Sequence, residues 1–238
     1  MRRIPALVLA ALALSACSGE QGERAQQLLT RAETAQARLR SIAFDAKVTF
    51  VMDGRRFSLV MDGGGYLKGA RAGDALFSMR TDGVPGGQNF KLQATVRRGR
   101  VSMSMNGRHF STPATGTTTK PSRLDWSGTM LDLAQYVKDV RVREGRVVNG
   151  ERGATISGVI DTRELLKAVA KLDTFTKAAN FGDFDGKVSD IHAALFVAER
   201  SGLIRSAVIT MSMEAEGKKA DLEVTYRIKS TNRAVAGL

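Results

Sequence analysis

The chain has 238 residues, of which 43% are hydrophobic and 25% charged, and its formal net charge is +12. Such a composition is ordinary for a globular protein and argues against an intrinsically disordered chain. The length suits one large domain or two small ones. A single cysteine excludes an internal disulfide framework, so the core is built without covalent cross-links.

The first 16 residues have the layout of a secretory signal. Met1, Arg2 and Arg3 form a short cationic start, and about a dozen mostly apolar residues follow. This run is shorter than the roughly 20 apolar residues that a membrane-spanning helix needs. We therefore expect residues 1–16 to direct export and to be removed.

The segment ends in Leu14-Ser15-Ala16-Cys17, which resembles the lipobox of exported bacterial lipoproteins. In that family the cysteine receives a diacylglyceryl group, the chain is cut before it, and the new amino terminus is usually acylated, for example with palmitate. An unpaired thiol is a liability in an oxidising compartment, which favours lipidation over an incidental cysteine at an ordinary cleavage site. The resemblance implies a lipidated Cys17 and a short tether over residues 17–22, on the extracytoplasmic side of a bacterial membrane.

The remaining chain is strongly basic, because loss of Arg2 and Arg3 only lowers the net charge from +12 to +10. Such basicity is common in nucleic-acid-binding proteins. A membrane-tethered protein outside the cytoplasm does not meet nucleic acid, so we expect no such partner. Two interpretations stay open: attraction to anionic lipid headgroups and a solvated basic surface.

Hydrophobic periodicity predicts one long helix before the first strand. Within residues 20–41 and just beyond, apolar residues recur every three or four positions, which indicates an amphipathic helix of about five turns; these residues are Leu28, Leu29, Ala32, Ala35, Leu39 and Ile42. The period then changes to two. One face of the first strand is predicted to carry Phe44, Ala46, Val48, Phe50 and Met52.

Several short strands with turn signals between them predict an antiparallel meander up to about Phe110. A polar loop over Ser111–Arg123 and a short helix around Leu131–Val137 follow. The second half predicts two strands around a turn in "NGERG", a helix capped by Asp161 or Thr162, and three closing strands. We expect a single domain over residues 23–230 and a flexible tail over residues 231–238. About ten antiparallel strands in one sheet must curl or split.

Three passages of this α+β pattern resemble the bacterial LppX/LprG-type lipoproteins, which share the fold of the carrier LolA and its receptor LolB. They are "ARLRSIAFDAKVTF", "RGATISGVIDTRELLKAVAKL" and "DIHAALFVAERSGLIRSAVITM". The resemblance implies a strongly curved antiparallel sheet, an incomplete β-barrel of about ten strands, with helices covering its concave face. It also implies an apolar cavity that holds and transfers a lipid, glycolipid or lipidated molecule, with an envelope transporter or acceptor protein as a further partner.

Alternating apolar residues on the strands are the candidates for the wall of that cavity, and flexible methionines suit such a wall. They are Phe44, Val48, Phe50, Phe57, Leu59, Phe90, Leu92, Met103, Met105, Ile156, Ile209 and Met211. The same residues are also typical of a filled core. The alternative is therefore an envelope interaction or sensor protein on the same scaffold that carries no lipid.

No constellation of side chains indicates catalysis, a cofactor or a metal. His109 and His192, the two histidines, lack metal-ligand spacing with each other or with a cysteine. The glycines at 63–65 indicate a tight bulge rather than a phosphate loop. "DFDG" at 183–186 indicates a turn rather than a calcium site. The sequence thus favours a binding protein over an enzyme.

Overall fold

The computed structural model describes residues 19–52, 54–82, 90–98, 100–113, 137–160, 187–188, 191–215 and 218–238. These residues form one helix and twelve strands. The elements are α1 (Glu20–Gln36), β1 (Ser41–Met52), β2 (Arg55–Tyr66), β3 (Ala75–Asp82), β4 (Lys91–Arg97), β5 (Arg100–Met105), β6 (Arg108–Pro113), β7 (Val137–Val148), β8 (Glu151–Ile160), β9 (Lys187–Val188), β10 (Ile191–Ala198), β11 (Ile204–Ala215) and β12 (Lys218–Thr231).

All strands belong to one antiparallel sheet in the order β6-β5-β4-β3-β2-β1-β12-β11-β10-β8-β7, and β9 pairs with β11. The pairing of β1 with β12 joins the two halves of the chain. Within the described residues β6 and β7 are edge strands, so the sheet is not closed there. Irregularities in the pairing of β7 with β8, and of β10 with β11, bend the strands locally. The predicted fold class, an α+β protein built on a curved antiparallel sheet, is confirmed.

Helix α1 is shorter than its hydrophobic pattern predicts. It ends at Gln36, while Leu39 lies in the following turn and Ile42 already belongs to β1. Both residues are nevertheless buried. The three-to-four spacing continues past the helix because these side chains are also buried in the core, although the backbone around them is no longer helical.

The strand boundaries around residues 106–113 and 137 differ from the predicted pattern. Asn106 and Gly107 have positive φ angles of 48° and 85° and connect β5 to β6. This hairpin carries the chain on to Pro113, so the start of the predicted polar loop is a strand. Val137, predicted to end a short helix, instead begins β7. The β7–β8 turn lies at Asn149 and Gly150, as "NGERG" predicts.

The three glycines at 63–65 form no bulge, so that prediction is wrong. They are regular residues of β2, paired in unbroken register with β1 and β3. A Cβ atom on Gly63 would lie 2.7 Å from the ring of Phe44, and one on Gly64 would lie 2.8 Å from the carbonyl oxygen of Ile42. Glycine is needed here for close packing rather than for an unusual φ angle.

The carboxyl-terminal residues, expected to be loose from Thr231, are packed against the sheet. Thr231 is the last residue of β12. Val235 is buried, and its backbone N–H donates a hydrogen bond of 3.2 Å to the hydroxyl of Tyr66. The Asn232 backbone N–H donates to the carbonyl of Ser41. These contacts attach the tail to the start of β1 and the end of β2.

Several predictions fall outside the described residues. They are the signal segment with Cys17, the loop beyond Pro113, most of the short helix, the helix after Ile160 and the "DFDG" turn. Among the helical residues that the structure describes, none forms a segment long and apolar enough to cross a membrane.

Candidate functional site

The pairing of β1 with its two neighbours builds a continuous apolar surface. Directly paired residues of antiparallel strands project from the same face of a sheet. Phe50 of β1 pairs with Phe57 of β2 and with Leu222 of β12, and Val48 pairs with Leu59 and Val224. The rings of Phe50 and Phe57 stack with centroids 4.8 Å apart. Three strands therefore contribute to one surface, which we call the apolar face.

The apolar face continues through β3, β4, β5 and β6. Leu92 of β4 pairs with Met79 of β3 on one side and with Met105 of β5 on the other. Met103 of β5 pairs with Phe110 of β6. Phe90, just before β4, is held by a 2.8 Å hydrogen bond from its backbone N–H to the Thr81 hydroxyl.

On the other side of β1 the apolar face runs through β12 and β11 into β10 and β8. Met211 pairs with Leu222, and Ile209 pairs with Val224. Ile156 of β8 reaches the same face through its pairing with Leu195 of β10. All twelve candidate wall residues thus lie on one face: eleven at paired strand positions and Phe90 immediately before β4.

Helix α1 packs mainly over the β7, β8 and β10 part of this face, and its Leu29 also contacts the neighbouring cluster that contains Phe44 and Tyr226. Ala25, Leu28 and Ala32 are buried against the cluster that contains Ile156. The remaining gap between helix and sheet is about 10 Å³, room for no more than one water molecule. The core under α1 is therefore filled, and of the twelve candidate residues Ile156 lies within it.

The part of the apolar face farthest from α1 is open. Met103, Met105 and Phe110 are 39%, 41% and 47% exposed. Met103 has apolar partners on both sides, Ala94 and Phe110, whereas Met105 pairs with Leu92 on β4 and with Arg108 on β6. Large hydrophobic side chains grouped on one surface mark an interaction site more often than isolated ones do. We call the surface around β4, β5 and β6 the open part of the apolar face.

The opposite face of the sheet is polar and carries ion pairs between strands. Arg227 of β12 and Asp45 of β1 form a salt bridge with a shortest distance of 2.8 Å, and this hydrogen-bonded contact raises the pKa of the arginine. Lys229 and Asp62 are 3.1 Å apart. A shallow depression of about 700 Å³ on this face is lined mainly by polar and charged residues. It bears no resemblance to the wall of an acyl-chain site.

The histidines do not form a metal or catalytic centre within the described residues. His109 lies exposed on β6 opposite Ser104, and His192 lies exposed on β10 opposite Thr210. The two strands are far apart in the sheet order. Throughout the described ranges there is no group of three or more histidine, cysteine, aspartate or glutamate residues that could hold a metal ion.

Two solved structures share this architecture. LprF from Mycobacterium bovis matches over 90% of this chain and 95% of its own, with a TM-score of 0.55 and 15% identity. The lipoprotein LppX of Mycobacterium tuberculosis matches over 90% of this chain and 97% of its own, with a TM-score of 0.51 and 15% identity. The chain has their fold. The predicted resemblance to LppX/LprG-type lipoproteins is thereby confirmed at the level of the fold.

No protein-family profile and no curated protein sequence matches the chain. The likeness to LprF and LppX is therefore structural, at an identity too low to transfer a role for any residue.

Two aromatic residues that share the apolar face are not among the predicted wall residues. Phe110 is predicted at the end of a strand, whereas the Asn106-Gly107 hairpin places it within β6, and Phe77 packs on the same face from β3. Met79, one of the alternating strand methionines, and Tyr226, which alternation places on the apolar side of the last strand, also pack there, and the Tyr226 ring lies 5.5 Å from that of Phe44. The Asn-Gly dipeptide between alternating residues is the signal that would have located Phe110.

Proposed function

We propose that the protein is a cell-envelope lipoprotein that binds a lipid, glycolipid or lipidated molecule on the apolar face and carries or transfers it. The observation that carries this proposal is the exposure of Met103, Met105 and Phe110 on a surface continuous with the core. Covering an acyl chain there releases about 0.8 kcal/mol per buried methylene, a gain that grows with chain length.

The fold shared with LprF and with the lipoprotein LppX supports this function. The lipobox at Cys17 supplies the anchor, on the extracytoplasmic side of a bacterial membrane. In this proposal the role is binding rather than catalysis. In this proposal the predicted residues outside the filled core form the wall that contacts lipid, with Phe90, Leu92, Met103 and Met105 around the open part of the apolar face, while Ile156 is buried under α1 and does not take part.

A second candidate function follows from the filled core under α1. An interaction or sensor protein would carry no lipid, and its apolar surface would bind another protein. The roughly 10 Å³ gap beneath the helix favours this alternative for the β7, β8 and β10 part of the sheet. The exposed methionines on β5 would serve either function, so lipid occupancy is the measurement that distinguishes the two candidates.

Native mass spectrometry of the chain secreted from Ser18 tests the proposal. This chain lacks the anchor but retains the whole described fold, which begins at Gly19. We expect a stoichiometric lipid that organic extraction removes. Met103→Glu places a charge on the open part of the apolar face and should reduce lipid occupancy at least about tenfold, since an unpaired charge against an acyl chain is strongly unfavourable.

Val208→Glu is the matched control. Val208 is 37% exposed, close to the 39% of Met103, but it lies on the polar face opposite Thr225 of β12. Its substitution should leave lipid occupancy unchanged. A protein free of lipid after purification and after incubation with envelope lipids would contradict the carrier function and favour the interaction protein.

A further inference from the structure

One end of the sheet carries a concentration of cations that the lipid-binding proposal does not use. Four segments meet there: residues 37–41 before and at the start of β1, residues 66–74 between β2 and β3, residues 97–100 between β4 and β5, and the tail from 231. They contain eight cations and one side-chain carboxylate, that of Asp74. The cations are Arg38, Arg40, Lys68, Arg71, Arg97, Arg98, Arg100 and Arg233. We call this surface the basic end.

Direct contacts hold three of the four segments together around the start of β1. The backbone N–H of Leu67 donates to the carbonyl of Arg40 at 2.7 Å, and the ammonium group of Lys68 donates to the carbonyl of Ala37. The Ser41 hydroxyl donates to the carbonyl of Arg233 at 2.6 Å. The segments before β1, after β2 and after β12 therefore form one surface.

Asp74 joins the fourth segment to this surface. Its Oδ1 accepts a 2.9 Å hydrogen bond from the backbone N–H of Arg98, and its Oδ2 lies 3.3 Å from Nε of Arg71. The guanidinium of Arg71 also lies 4.4 Å from the centre of the Tyr66 ring. The one side-chain carboxylate of the basic end is thus already occupied by structural contacts.

Most of the cations have no partner of this kind. Arg38, Arg40, Arg97, Arg98, Arg100 and Arg233 are exposed, and within the described part of the chain none of them forms a salt bridge or a side-chain hydrogen bond. Arg97 interacts with Asp74 only at longer range, through its charge. Six like charges on one surface repel one another, so this arrangement costs stability unless an external anion compensates it. The basic end is therefore suited to bind a negatively charged partner.

The loop at its centre also indicates what carries that charge. Leu67 is 38% exposed and adjoins Lys68, and the loop continues through Ala70, Arg71 and Ala72 without an acidic residue before Asp74. These cations come from four segments, and none of them lines the polar depression on the opposite face or the gap under α1, which favours an extended anionic surface over a small anion held in a pocket. An exposed leucine beside lysine and arginine suits the headgroup layer of a membrane.

We propose that the basic end docks on the surface of a bilayer rich in anionic lipids, with Leu67 entering the headgroup layer. Each arginine or lysine near such a surface contributes about 1 kcal/mol, and the guanidinium group pairs well with phosphate. This docking does not depend on the lipid-binding function or on the anchor at Cys17. It gives the tethered protein a second contact, at the carboxyl-terminal end of α1, about 25 Å from the beginning of that helix.

Cosedimentation with vesicles tests the docking, using the chain secreted from Ser18 so that no acyl anchor contributes. The vesicles are phosphatidylcholine alone or phosphatidylcholine with about 30% phosphatidylglycerol. We expect binding to the second kind only, with an affinity that falls steeply between about 0.05 and 0.5 M salt. The triple variant Arg38→Gln, Arg97→Gln, Arg100→Gln should bind at least about tenfold more weakly.

The matched control is Arg55→Gln, Arg141→Gln, Arg143→Gln. It removes the same charge from exposed arginines outside the basic end, one on β2 and two on β7. It should bind within about twofold of the unmodified chain, because charges beyond a Debye length are screened. Leu67→Ser should weaken binding about threefold without changing its salt dependence. Thermal unfolding verifies that each variant is folded.

Three outcomes would overturn the proposal. Equal losses in both triple variants would show that net charge alone drives binding. Equal binding to both kinds of vesicle would show that the surface recognises no anionic lipid. Absence of binding by the unmodified chain at about 0.15 M salt would reject a membrane partner and favour an acidic protein. None of these results bears on whether the apolar face carries a lipid, which the mass measurement tests separately.

Discussion

Asp74 shows how a single residue organises the end of the sheet. The backbone N–H of Arg98 and the guanidinium of Arg71 both donate to its carboxylate, and Asp74 itself is buried. The hydrogen bond from Arg98 is the main cause that lowers the pKa of Asp74 below its usual 3.8. The ionised form is therefore favoured in the folded state, so this carboxylate contributes stability at neutral pH.

The pKa of Asp74 leads to a prediction about acid stability. A lowered folded-state pKa contributes stability above the unfolded value of about 3.8, and this contribution is lost as the pH falls through the folded value. Asp74→Asn should therefore unfold at lower urea concentration at pH 7 and lose less stability between pH 4 and pH 2 than the unmodified chain. Urea unfolding across this range measures both effects.

Asp82→Asn is the control for this experiment. Asp82 is exposed at the end of β3, and its nearest cation, Arg80, is 3.8 Å away. The substitution should leave the pH profile unchanged. If Asp74→Asn and the unmodified chain lose the same stability between pH 4 and pH 2, the Asp74 carboxylate is not a source of the acid sensitivity.

At the scale of elements, α1 is attached to the sheet by small buried residues and by polar contacts at both ends. Ala25 and Ala32 are fully buried, which allows the helix to approach β7 and β10 closely. Near its amino end, Gln21 accepts a 2.7 Å hydrogen bond from the backbone N–H of Val142. Near its other end, the guanidinium of Arg31 donates to the carbonyl of Glu199. Gln21 also satisfies one donor of the edge strand β7.

The close approach of α1 predicts a clear effect of side-chain size. Ala32→Leu adds three carbons at a fully buried position, and such overpacking costs about 1–3 kcal/mol. Thr30→Leu places the same leucine side chain at an exposed position of the same helix and should change stability by less than about 0.5 kcal/mol. Chemical denaturation of both variants compares them. Equal stability of the two would mean that α1 is not tightly seated on the sheet.

At the scale of the whole molecule, the basic end and the exposed methionines occupy different positions on the same strands. The basic end lies where β1 and β5 begin, at Ser41 and Arg100, whereas exposed Met52 and Met105 lie where these strands end. Arg97 and Arg100 pair with each other next to the apolar pair of Val96 and Val101, so they lie on the opposite face of the sheet from Met103. Substitutions at these arginines and at Met103 therefore test the two proposals, membrane docking and lipid binding, on different faces of the sheet.

Occupancy of the apolar face predicts a change in global stability. A lipid that binds only the folded state at about 100 times its dissociation constant adds about 2.7 kcal/mol, which raises the melting temperature of a chain this long by about 5–10 °C. Calorimetry of the delipidated chain before and after reloading measures this shift. The Met103→Glu variant should keep the melting temperature of its delipidated form after reloading, whereas the melting temperature of Val208→Glu should rise like that of the unmodified chain. An unchanged melting temperature after reloading would contradict a lipid site on this face.

Local patterns in the sequence predict the strands and turns whose formation depends on residues close together in the chain. Alternation of Val48, Phe50 and Met52 predicts β1, and the alternation from Leu222 to Ile228 predicts β12. The β10–β11 hairpin and the turn at Asn149-Gly150 follow in the same way. These features were predictable because backbone propensity and a half-buried face act over a few residues. The end of α1 was not predictable in this way, because the buried Leu39 and Ile42 continue the helical spacing beyond the last helical residue, Gln36.

The sequence by itself determined the antiparallel alternation and the single apolar face of each strand, and it contains one cysteine, in a segment that resembles a lipobox. Only the tertiary structure decided which strands adjoin, because pairings such as Val48 with Val224 connect residues far apart in the chain. It also decided that Ile156 is buried beneath α1 while Met103 stays exposed. The basic end likewise exists only after folding, since its arginines come from four separated segments. Periodicity is a local property, whereas the covering of the sheet by α1, the exposure of side chains and the grouping of charges depend on long-range packing.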